Sequence, residues 1–131
     1  DNAYVRRATA WSLANYDNQI VLEPLINALK NDVAAVRLWS SSSLAEIGNV
    51  SLKNAQLAAE QLLISLKIDN EPGVRSNCIW SLCRLYEKLN NSFQESFVDE
   101  CTKIALFDKE PSVMEEAKTA LDSMGMQGFY N

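Results

Sequence analysis

The sequence predicts an all-α solenoid of stacked antiparallel helix pairs, with about seven helices and no sheet. Three observations predict it. Four segments overlay on one another at intervals of 31, 38 and 39 residues, counted between their valines Val5, Val36, Val74 and Val113. Each segment carries apolar residues at helical spacing. No stretch alternates apolar and polar residues as a half-buried strand does.

The overlaid segments open at Asp1, Asp32, Asp69 and Asp108, and run through Val5-Arg6, Val36-Arg37, Val74-Arg75 and Val113-Met114. The position four after each valine is small (Thr9, Ser40, Cys78, Ala117). The position eight after is leucine (Leu13, Leu44, Leu82, Leu121). The position eleven after is large and apolar (Tyr16, Ile47, Leu85, Met124). These offsets share one helix face, so each segment is an amphipathic helix, a B helix, whose small residue lets a neighbour approach. Asp32 and Asp69 are expected to cap their helices, Pro72 and Pro111 to sit in first turns, and Gly48 and Gly125 to act as C-terminal caps.

A second set of helices, the A helices, lies between them. They are expected over Ile20–Lys30 (Leu22, Leu25, Ile26, Leu29), Ala55–Ile68 (Ala59, Leu62, Leu63, Leu66) and Phe93–Phe107 (Phe97, Val98, Cys101, Ile104, Ala105). Pro24 reads as a first-turn proline. The chain is therefore one domain of four repeat fragments, 1–16, 17–48, 49–89 and 90–126. Each helix pair is apolar on more than one side and needs a stacked neighbour. The order opens on a B helix without its A partner, so the chain is expected to be part of a longer array.

Composition narrows the function. Of 131 residues 47% are hydrophobic and 22% charged, the net charge is -5, and no run of about 18 apolar residues offers a membrane span. No secretory signal is visible, and the three cysteines (Cys78, Cys83, Cys101) form no disulfide framework, so a cytoplasmic protein is expected. There is no histidine, no phosphate-binding glycine loop and no close cysteine pair, so neither a catalytic residue, a metal site nor a cofactor is expected. The pairs Asp99-Glu100 and Glu115-Glu116 read as solvated surface; for Glu115, Glu116 and Asp122 the alternative is an acidic flank that steers a basic partner. Residues 1–66 hold six acids and five bases, and residues 67–131 eleven acids and seven bases, which argues against nucleic acid.

The Asp–Val-Arg–Leu pattern resembles HEAT repeats, and within them the phycobilisome lyase-like subclass, over essentially the whole chain. In that family the repeated Asp and Arg tend to form a ladder along the stack. The resemblance assigns Arg6, Asp32, Arg37, Asp69 and Arg75 to one. Met114 departs from the pattern and suggests a terminal or capping repeat. The resemblance also implies that B helices line a concave surface.

The tryptophans carry the functional expectation. Trp11 and Trp80 stand six residues after their valines and Trp39 three after its own, off the buried face. Stacked, they would form an aromatic stripe bordered by Asn15, Glu46 and Arg84, with Arg7 nearby; the alternative is that they fill gaps between repeats. Two functions follow. One is a non-catalytic scaffold that binds another protein on this surface. The other, implied by the subclass alone, is a bilin lyase or phycobilisome assembly or degradation factor, its partner a bilin or phycobiliprotein.

Overall fold

A computed structural model describes residues 2, 3, 5–7 and 18–126. Among them run α1 (Asn18–Asn31), α2 (Ala34–Gly48), α3 (Leu52–Ile68), α4 (Pro72–Leu85), a 3-10 turn (Tyr86–Lys88), α5 (Asn91–Phe107) and α6 (Pro111–Ser123). Residues 3 and 5–7 are helical too, and no strand occurs among the described residues. Among the described residues no helix is long and apolar enough to cross a membrane.

The helices pair as α1 with α2, α3 with α4 and α5 with α6, and the pairs stack as an α-solenoid. α2, α4 and α6 form the B layer, each in broad contact with the next. The A layer is looser: α1 touches α3 over a smaller area, and α5 stands off from α3. The repeated positions explain the stack. Val36, Ser40, Leu44 and Ile47 are buried, as are Val74, Cys78, Leu82 and Leu85, and then Val113, Ala117 and Leu121. Their A-helix partners include Leu25, Leu29, Leu62, Leu66, Phe97 and Cys101. Val5 differs from its three counterparts in being half-exposed, and Thr9, Leu13 and Tyr16 lie outside the described residues. The small residue four after each valine is fully buried where it is described, because a neighbouring helix lies against it. Ser81 Oγ donates to the Ser41 carbonyl, tying α4 to α2.

Helix ends depart from expectation at six positions. α3 and α5 begin before Ala55 and Phe93, because Ser51 and Asn90 are the caps: Ser51 Oγ accepts the Asn54 amide at 3.1 Å, and Asn90 Oδ1 accepts the Phe93 amide at 2.8 Å. Asp32 and Asp69 are not caps. Val33 and Glu71 hold those positions without a side-chain bond, while Asp32 accepts the Val33 amide and Asp69 the Glu71 amide. Pro24 lies inside α1, not in its first turn, since the helix already runs from Asn18. Gly48 is the last residue of α2, with Asn49 as the cap. What requires glycine there is close approach: a Cβ would stand 3.1 Å from Ala58 Cβ and 3.2 Å from Leu85 Cδ2.

Gly125 does terminate its helix, at φ +78°, a conformation that side chains disfavour. Met126 N–H donates to the Leu121 carbonyl and Gly125 N–H to that of Asp122, which is the Schellman pattern. Pro72 and Pro111 open α4 and α6, where no helical hydrogen bond is lost.

Two glycines separate the packing argument from helix propensity. At Gly73 an added methyl would meet only the flexible tip of Leu38, at 3.2 Å. Gly73→Ala should therefore raise stability by about 0.5 kcal/mol. Gly48→Ala should lower it by about 1 kcal/mol, because Ala58 and Leu85 are packed and must shift. Urea unfolding followed by circular dichroism reads both signs.

Candidate functional site

Among the described residues an Arg–Asp ion pair crosses from each repeat to the next. Arg6 Nε lies 2.7 Å from Asp32 Oδ2. Arg37 Nε lies 2.8 Å from Asp69 Oδ2, with Nη2 at 3.2 Å from Oδ1 and Nη1 donating to the Asp32 carbonyl. Arg75 Nη1 and Nη2 bracket the two Asp108 oxygens. Each arginine directly follows the repeat valine of its B helix (half-exposed Val5, buried Val36 and Val74), so it stands at the helix start and reaches forward to the turn before the next B helix. Planar two-point pairing suits guanidinium and carboxylate.

The arginines sink progressively along the stack, and both later rungs are more buried than the first. The side chains of Arg6 and Asp32 are 32% and 15% exposed, those of Arg75 and Asp108 only 11% and 12%. The Asp69 hydrogen bond outweighs burial and raises Arg37 above its ordinary value. Burial pushes the Asp108 carboxyl up, but the Arg75 hydrogen bond, the Glu110 amide and the Arg75 charge together hold it below the usual carboxylate range. Asp108 belongs to this set although the resemblance did not assign it. Its register with Asp32 and Asp69 was visible in the overlay; the forward reach of each arginine was not.

The B layer carries the expected aromatic residues on its outer side. Trp39 on α2 is 37% exposed and Trp80 on α4 is 43% exposed. Trp11 and Asn15 lie outside the described residues. Among the described residues no ring contact joins Trp39 to Trp80, so the two indoles are separate rather than stacked. Arg84, one turn after Trp80, sits with its guanidinium 5.0 Å from that ring, a cation–π arrangement. Glu46 is exposed near the end of α2, and Arg7 is partly buried. Two residues the sequence reading passed over lie here: half-exposed Leu38, and Asn77, whose Nδ2 donates to the Leu38 carbonyl at 3.0 Å. Leu38 stands two after its valine and Asn77 three after its own, the offset of Trp39, so helical arithmetic alone would have found both.

The thiols are poorly placed for chemistry. Burial raises Cys78 and Cys101, and pushes Cys83 up to about 11 against a lowering hydrogen bond with Ser123. Protonated thiols are weak nucleophiles.

A family model described as HEAT repeats matches residues 1–83. The chain belongs to the HEAT-repeat family. The matched part of this HEAT array holds all three Val-Arg pairs, and the repeat with Met114 falls beyond it. The match is to HEAT repeats in general and does not single out the phycobilisome lyase-like subclass. No curated protein and no solved structure matches the chain.

The ladder yields two expectations. Arg75→Met leaves a largely buried carboxylate unpaired and should cost about 3 kcal/mol, whereas Arg6→Met at the more exposed rung should cost less than about 1 kcal/mol; chemical unfolding of both variants checks the order. Asp108 has a depressed native pKa, so its contribution is complete above the ordinary carboxylate value and is lost as pH falls through the lower native value. Asp108→Asn should therefore be less stable than wild type at neutral pH, with the difference closing as pH falls below the ordinary carboxylate range. Urea midpoints across that range measure it.

Proposed function

We propose that this HEAT array is a non-catalytic scaffold that binds another protein on the outer face of its B layer. One observation carries the reading: Trp39 and Trp80 are half-exposed on adjacent stacked helices, which a hydrogen bond from Asn77 to the Leu38 carbonyl joins. Half-exposed indoles on a rigid layer are efficient anchors, because a partner buries large apolar area at little conformational cost. HEAT repeats commonly mediate protein–protein interaction, which fits.

Two further features support the choice of face. B helices contact one another more broadly than A helices do, as the inner layer of a curved stack does, so the B side suits a concave groove. Arg84 over Trp80 and the exposed Glu46 supply a charged rim. Trp11, Asn15 and Arg7 would continue the surface through the first repeat. A cytoplasmic setting suits three free thiols.

The test is selection of a random-sequence peptide display library against the intact chain, with a folded Trp39→Ala/Trp80→Ala variant alongside. The peptides retained by wild type should bind the variant at least about 30-fold more weakly, the loss of a binding hot spot. Peptides that bind both proteins equally would put recognition elsewhere and sink the proposal.

A further inference from the structure

The composition of the B-layer face changes along the stack. The position two after the valine is Leu38 on α2, Ser76 on α4 and Glu115 on α6. The position three after is Trp39, then Asn77, then Glu116. Two adjacent lanes thus pass from apolar through polar to acidic over three helices. Glu115 is exposed and Glu116 partly so. α6 packs against α4, so the acidic end lies on the helix next to the one that carries Trp80.

The cations of this face are already engaged. Apart from the ladder residues Arg37 and Arg75, helices α2, α4 and α6 carry Arg84 and Lys118. Arg84 lies over Trp80 and Lys118 lies 3.5 Å from Glu115. The acids Glu46, Glu115, Glu116 and Asp122 outnumber them.

We infer that the partner of this face is a basic, extended segment of another protein, with an apolar side chain seated at Leu38, Trp39 and Trp80 and a lysine or arginine at Glu115 and Glu116. This rests on the B-layer face being the recognition surface. The stack sets the spacing. Packed helices stand about 8–10 Å apart and an extended chain advances about 3.3 Å per residue, so one helix step is about three residues. The basic residue therefore stands about three residues from an anchor at Trp80, or about six from one at Trp39. Opposite charge at the acidic end fixes the direction in which the segment lies and speeds its encounter.

The experiment uses the same display library, of peptides about twelve residues long, twice the span from α2 to α6. Retained peptides should carry lysine or arginine at those spacings from an apolar residue. Glu115→Gln/Glu116→Gln should weaken their binding about 5–10-fold at low ionic strength, with the gap shrinking as salt is added. Retained peptides without basic bias, or equal binding to the glutamine variant, would overturn this inference while loss at the tryptophan variant kept the recognition face. An empty selection, or retention unchanged by the tryptophan variant, would overturn both.

Discussion

Each Arg–Asp rung joins two repeats at the same place, where one B helix begins and the next A–B turn ends. A stack of helix pairs held only by apolar contacts slides easily, because small and large residues recur at every level. A guanidinium that must meet a carboxylate in the following turn removes that freedom. It fixes how far each repeat advances and rotates on the last. Everything on the B-layer surface inherits its spacing from that step. The desolvation such pairs incur grows from the Arg6 rung to the Arg75 rung, and so does the penalty for removing one partner.

The aspartates show how one residue can be claimed by two roles. Asp before a helix is a good cap, and local sequence favours that reading. Here Asp32, Asp69 and Asp108 stand one or two residues too early to cap and turn their carboxylates to the preceding repeat's arginine. Asp69 and Asp108 also accept the amide of the capping glutamate, Glu71 or Glu110. The turn is shaped for the inter-repeat bond, and the helix start is left to Pro72 and Pro111, which need no amide partner.

This divides what the sequence makes legible from what it does not. Periodicity of Val, small, Leu and large apolar residues specifies the buried face, because burial has the period of the helix. Gly125 is readable as a terminator because positive φ singles out glycine. Gly48 is not, since its reason is the proximity of Ala58 and Leu85, from two other helices. The half-exposure of Trp39 and Trp80 follows from angular offset within one helix. Their separation does not, because it depends on the step between helices. Trp11 and Asn15 lie outside the described residues.

The two halves of the molecule's charge serve different ends. Arg6, Arg37 and Arg75 are spent within the stack, each against one aspartate, so the formal net charge of -5 falls entirely on residues outside the ladder. Their partners Asp32, Asp69 and Asp108 are withdrawn too, which leaves the exposed balance to residues such as Glu46 and Glu116. A paired charge contributes little field at a distance, whereas an unpaired one on a low-dielectric wall steers a partner within a Debye length. The ladder thus sets geometry and the leftover acids set electrostatics. Since the lanes run from Leu38 and Trp39 to Glu115 and Glu116, the face distinguishes the two ends of a bound segment. Apolar anchors alone would not, because indoles hold an aliphatic side chain equally well from either direction.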